Sequence, residues 1–194
     1  MSKQSVKLAR AVHQIFTQQK QSGGERFGRW TSKLAEAMTG PLFDIYTAGM
    51  RKYGKPESNR SAIESFASGD ENMSWMVAMA KEQALEAARQ INEASANMLE
   101  SGRDYREVFS TDRAALIALD QEHKAQMNCQ VYGAKQRKVK LQWVTDSKPC
   151  PKICLKLKGK TRNPGKMFAM VNGEPLFSPP AHIHCRCSLV EVSK

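Results

Sequence analysis

Apolar residues recur every three or four positions along the first two-thirds of this chain and every second position near its end. That change of period predicts a helical region followed by a small β region. Residues 4–20 place Val6, Leu8, Ala9, Val12, Ile15 and Phe16 on one side of a first amphipathic helix, and Ser22-Gly23-Gly24 breaks it. A second helix is expected from about Arg26 to Met38, ended by Gly40-Pro41, and a third from Leu42 to Gly54-Lys55-Pro56. A short helix is expected over 59–67. The strongest signal is 72–100, where Met76, Ala80, Ala84, Ala87, Ile91, Ala94 and Met98 form a stripe. Its Ala/Met composition permits close approach of a partner helix. Core packing is the simpler reading of that stripe, and an oligomer seam is the other.

Ser101-Gly102 ends this helix, and Ser110-Thr111-Asp112 supplies an N-cap for the next, over 112–132. Its shared face is predicted to be Ala115, Leu119, Glu122, Gln126 and Cys129. The two helices are expected to form an antiparallel hairpin. After Tyr132-Gly133 the period shortens. In 138–145, Val139, Leu141 and Trp143 alternate with polar residues, the pattern of a strand with one buried face. Residues 166–177 read as a β-hairpin turning at Asn172-Gly173, and Leu189–Val192 as a last strand. The expected fold class is α+β: a mostly helical N-terminal two-thirds with a long helical hairpin, then a small Cys/His-clamped β-hairpin module.

Charge sharpens this division. The 194 residues carry a net charge of +11. Between Lys135 and Lys166 stand eleven basic residues and one acidic residue, Asp146, so this segment holds nearly all of the excess. An anionic partner follows, either nucleic acid or an acidic protein surface. The residues expected to meet it are Lys135, Arg137, Lys138, Lys140, Lys152, Lys156, Lys158, Lys160 and Arg162; a solvated face that only aids solubility is the alternative. No apolar run is long enough to span a membrane. The N-terminus is polar and lacks the apolar centre of a signal peptide, so a cytosolic setting is expected.

Four of the five cysteines fall in the same region, as Cys150-Pro-Lys-Ile-Cys154 and as His182-Ile-His184-Cys185-Arg-Cys187. Zn²⁺ prefers four nitrogen or sulfur ligands in a tetrahedron, and short-range pairs supply two from one loop. Cys150, Cys154, His182, Cys185 and Cys187 are therefore the candidate ligands. Reduced thiols packed in a small core, or disulfides formed in an oxidising medium, fit the same residues. Lys148, Lys152, Lys156 and Arg186 are expected to favour thiolates. A catalytic metal needs an open position and a nearby general base. Only Asp146, Glu174 and Glu191 offer carboxylates here, which argues for a structural cluster. The enzymatic rivals are a metal-dependent nuclease and a cysteine-dependent hydrolase using a pair such as Cys185 with His182. A zinc-ribbon DNA binder is a third reading.

The order of these residues is recognisable. Arg113 and Glu122 lie on a helix, followed by Trp143-Val144-Thr145-Asp146, by Cys150 and Cys154, and by Leu157 and Gly159. The run Pro179-Pro180-Ala181-His182-Ile183-His184-Cys185-Arg186-Cys187 closes it. This resembles the phage Mu F-like minor head proteins, the head morphogenesis family of tailed phages, over about residues 111–192. His182, Cys185, Arg186 and Cys187 match that family's terminal motif, whereas Ile183 and His184 replace its Pro-Asn, and the first cysteine pair is one residue wider than usual. The resemblance implies a non-enzymatic minor structural protein of the virion, lodged in the capsid interior at the portal vertex and in the host cytoplasm during assembly. Its implied partners are the portal protein, the capsid interior and packaged double-stranded DNA, with a homo-oligomer as a further candidate and no membrane. Residues 1–110 would form a helical arm that contacts an oligomer partner or the portal, and 111–194 the Mu F-like module.

Overall fold

The computed structural model describes residues 1–22, 27–53, 70–146, 152–171, 173–182 and 184–192. The elements run α1 (Lys3–Gln21), α2 (Phe27–Tyr53), α3 (Asp70–Glu100), α4 (Tyr105–Val108), α5 (Thr111–Arg137), β1 (Lys140–Val144), α6 (Cys154–Leu157), β2 (Thr161–Arg162), β3 (Ala169–Val171), β4 (Glu174–Leu176) and β5 (Ser188–Val192). The chain is α+β, with long helices first and short antiparallel strands last. Two compact units are present: Met1–Tyr46 with Met73–Glu122, and Thr47–Asn72 with His123–Lys194.

The first unit is all helical. Ser2 caps α1 by accepting a hydrogen bond from the Ser5 amide at 3.0 Å. Leu8, Val12 and Phe16 of that helix are fully buried. The expected break at Gly40-Pro41 does not occur, and α2 runs through it as one helix. An interior proline costs a helix about 3 kcal/mol. Burial outweighs that cost, because Trp30, Leu34, Met38, Leu42 and Ile45 keep a helical spacing across the proline and are all buried. Each such side chain contributes about 1.5–3 kcal/mol. Gly40 also lacks the Cβ that would press on the following proline ring. The expected helix over 59–67 lies outside the described residues.

Helices α3 and α5 run antiparallel, as predicted. Arg113 donates to Ser95 Oγ at 2.8 Å, while Gln83 donates to the Gln121 carbonyl at 2.8 Å, so the numbering falls along one helix as it rises along the other. Ser110 caps α5 by accepting from the Arg113 amide at 3.1 Å. The stripe on α3 holds through Met76, Ala80, Ala84, Ala87 and Ile91, then drifts to Ser95 instead of Ala94. The buried positions of α5 match the prediction at Cys129 and differ elsewhere, with Ala115, Glu122 and Gln126 only half-buried. Ala114, Ala118, Ala125 and Cys129 are buried, whereas Leu116 and Leu119 are 44% and 39% exposed. Mostly small residues occupy the inward face, with Met127 and Gln130 buried beside them.

The second unit carries the β structure. In its three-stranded sheet the order is β2-β1-β5, with β1 antiparallel to both neighbours. Leu141 and Trp143 point inward as the alternation required, and Trp143 meets Phe168 edge-on at 5.3 Å. Strands β3 and β4 pair Ala169 with Leu176 and Val171 with Glu174, which leaves a two-residue turn. Gly173 in that turn has φ 84°, the left-handed conformation that the turn needs and that glycine adopts freely. Two glycines bring the end of α2 against α5. A Cβ on Gly133 would lie 2.3 Å from the Tyr53 carbonyl oxygen, and one on Gly49 would lie 2.8 Å from Cys129 Sγ. Gln130, buried on α5, donates to the Leu189 carbonyl at 2.8 Å and ties β5 to the helix.

Candidate functional site

The cysteines reach one place because two local patterns converge. Cys154 opens the short helix α6, and its carbonyl accepts from the Lys158 amide at 3.1 Å. Cys185, Cys187 and Leu189 are alternate residues of an extended segment, so all three side chains face inward and Arg186 faces out. A turn precedes them: the Cys185 amide donates to the His182 carbonyl at 3.1 Å, and His184 has φ 59°. Cys154, Cys185 and Cys187 join Leu141, Trp143, Leu157, Phe168 and Leu189 in one buried cluster.

The three sulfurs lie within 4.8 Å of one another. Cys154 Sγ is 3.8 Å from Cys185 Sγ and 3.0 Å from His182 Nε2. Zinc–sulfur bonds of about 2.3 Å at tetrahedral angles place sulfurs about 3.8 Å apart, so the first distance matches an edge of that tetrahedron. The corresponding sulfur–nitrogen edge is about 3.6 Å, so His182 would shift outward by about half an ångström to become a ligand. Cys129, Cys154, Cys185 and Cys187 are all free thiols. Cys150 lies outside the described residues. His184 is exposed, and His182 is half-buried.

The electrostatics correct one expectation. Nearby cations were expected to favour thiolates, but Lys152, Lys156 and Arg186 are solvent-exposed, and Lys148 lies outside the described residues. Burial dominates instead. It pushes the Cys154 thiol well above its ordinary range, with the hydrogen bond to Cys187 and the charge of Cys185 adding to the effect. Burial likewise pushes up Cys185. Left to themselves the Cys154 and Cys185 thiols favour the protonated, neutral form. A bound divalent cation inverts that preference, because it stabilises thiolates directly. Three buried, reduced, soft donors within reach of an imidazole fit such a cation.

The basic residues do not form one surface. Lys135, Lys138, Lys140, Lys152, Lys156, Lys158, Lys160 and Arg162 are exposed. Lys152, Lys156 and Lys160 line one groove, whereas Lys158 borders a different cavity beside Gln142–Asp146. Arg162 donates to the carbonyls of Thr161 and Met167. Arg137 is engaged internally: it pairs with Glu191 and donates to the Tyr53 carbonyl at 3.0 Å. Its side chain is only 16% exposed. Nothing in the local sequence marked Arg137 as different from its neighbours, since its partners lie 54 and 84 residues away.

A family model described as Phage Mu protein F like protein matches residues 63–190, about two-thirds of the chain. The chain belongs to this family of phage head morphogenesis proteins. The match reaches well upstream of the motifs in the cysteine region and takes in the long α3–α5 hairpin of this Mu F-like chain. No curated protein and no solved structure matches it. The family places the protein with the phage head. None of the helices in the described residues is long and apolar enough to cross a membrane.

Proposed function

We propose that this Mu F-like chain is a minor structural protein of a tailed-phage head, lodged at the portal vertex, that acts by binding rather than by catalysis. The observation that carries the reading is the family match over residues 63–190. In this proposal residues 1–110 supply contacts to the portal, the capsid interior or a second copy. Residues 111–194 form the module pinned by the cysteine cluster. Zn²⁺ is the cation proposed there, held by Cys154, Cys185 and Cys187 with His182 or Cys150 as fourth ligand, and its contribution is a cross-link between distant parts of the module. The donor set supports this, as three buried sulfurs lie close enough together to share one ion.

Exposed cations outside the cluster are proposed to meet the packaged DNA or an acidic portal surface. Contacts of this kind are salt-dependent and indifferent to sequence. Co-expression with the portal protein of the same phage tests the main claim. The chain should co-purify with the portal oligomer and be found in purified virions, and its absence from both would refute the proposal. Elemental analysis of protein purified under reducing conditions should find close to one zinc per chain, lost in Cys185→Ser. Combined charge reversal of Lys156, Lys158 and Lys160 should weaken duplex binding and flatten its salt dependence; unchanged affinity would leave the acidic portal surface as the partner. Plasmid cleavage dependent on a divalent metal and abolished by His184→Ala would overturn the non-catalytic reading.

A further inference from the structure

Lys152, Lys156 and Lys160 follow one another at four-residue intervals around α6, and all three are exposed. They rim a groove of about 330 Å³ whose other lining is apolar. Ile153 and Leu157 come from the α6 segment, and Ala169, Met170 and Val171 from β3. Among the described residues no carboxylate lines it. Glu174 stands opposite Val171 in the hairpin, so the rim stays positive even with that charge counted. Met170 is 56% exposed, a large apolar side chain open to solvent in the groove that the three lysines also line.

A DNA duplex matches the rim but not the floor. Its phosphates would pair with the lysines, yet its backbone presents nothing to cover an apolar strand. An acidic peptide that also carries an aliphatic or aromatic side chain meets both features. The volume is at the low end for a ligand pocket and suits one or two side chains. We propose that this groove binds an acidic segment of a partner protein, with carboxylates on Lys152, Lys156 and Lys160 and one apolar anchor side chain against Met170 and Val171. That the partner is another head component rests on the function proposed above; the chemistry of the groove does not.

Fluorescence anisotropy on the full chain tests it. Two labelled short peptides of Asp, Glu and Gly have equal charge, one with Leu-Phe at its centre and the other with Ser-Ser, and a short labelled duplex is the third probe. The Leu-Phe peptide should bind about tenfold tighter than the Ser-Ser peptide, as expected for burying one apolar side chain. Met170→Ser, at an exposed position that tolerates polarity, should erase that difference and leave duplex binding unchanged. Combined Lys156→Glu and Lys160→Glu should weaken both peptides at least tenfold. Equal affinity for the two peptides, or no binding of either, would overturn the proposal. Duplex binding that is lost in Met170→Ser and competes with the Leu-Phe peptide would also overturn it, by assigning the groove to DNA. Co-purification with the portal is read in a separate experiment, so either claim can fail alone.

Discussion

Replacing Gly133 by alanine probes a close helix contact in the second unit. On an isolated helix the change would stabilise by about 1 kcal/mol, because alanine is the better helix former. Here the new Cβ would sit 2.3 Å from the Tyr53 carbonyl oxygen, 3.1 Å from its carbon and 3.0 Å from Arg137 Nη1. Carbon–oxygen contacts between neighbouring backbones normally settle at about 3.3 Å or more, so the two segments must part by about 1 Å. Overpacking of this kind costs about 1–3 kcal/mol. The same movement stretches the 3.0 Å bond from Arg137 to the Tyr53 carbonyl. Losing it costs about 1 kcal/mol, below the usual range of about 1.5–3 kcal/mol for a charged donor because the group is not fully buried. The net effect is a loss of about 2 kcal/mol, or about 4–8 °C in Tm for a chain of this size. Urea and thermal unfolding followed by far-UV circular dichroism would measure it. A variant as stable as the parent, or more stable, would show that helix propensity outweighs the contact and would refute the reasoning.

The neighbouring contact allows a rescue experiment. Gly49→Ala should destabilise through its 2.8 Å approach to Cys129 Sγ, and Cys129→Ala in the same chain should restore most of the loss; additive losses in a double-mutant cycle would contradict this. Trp143→Ala should cost about 3–5 kcal/mol in urea unfolding, whereas Trp143→Phe should cost much less, since the buried indole N–H finds no hydrogen-bond partner among the described residues; equal losses would disprove that account. Burial pushes the Cys129 thiol upward in the folded protein, so its contribution to stability is complete below the ordinary thiol pKa of about 8.5 and declines as pH rises past that value. Stability measured from about pH 8 to about pH 10 should therefore fall less steeply in Cys129→Ala than in the parent, and parallel curves would count against it.

Where a short-range rule operates alone, the sequence was a good guide. Alternation put Leu141 and Trp143 inside, the Asn-Gly dipeptide marked the β3–β4 turn, and Ser110 capped α5 as its residue type suggested. Tertiary packing overrode local signals elsewhere. The proline in α2 was a valid helix breaker in isolation, but a buried stripe runs through it. On α5 the predicted face held at Cys129, but close packing buries Ala114, Ala118 and Ala125 and leaves the predicted Leu119 outside. Gly49 and Gly133 look like helix weaknesses until the neighbouring backbone and thiol are seen. At the site, the basic segment was legible along the chain but its arrangement in space was not: Arg137 pairs with Glu191, and three lysines share a groove. The competition between burial and nearby cations at the thiols also required knowing which was close.

The strand order β2-β1-β5 has a consequence for how the protein is made. Strand β1 sits in the middle of its sheet, but its partner β5 is the last strand described, and Cys154 meets Cys185 across 31 residues. Closing a loop of that length costs about 3 kcal/mol of chain entropy before any contact forms. The β1–β2 pairing is more local and can form first during synthesis. Until Ser188–Val192 docks, one edge of β1 stays unpaired and the Cys154 thiol lacks its neighbours. The module is therefore expected to mature late, and any mispairing of its thiols would be decided in that interval. Pulse-labelling of free thiols in nascent chains, stalled before and after β5 has emerged, would time the event.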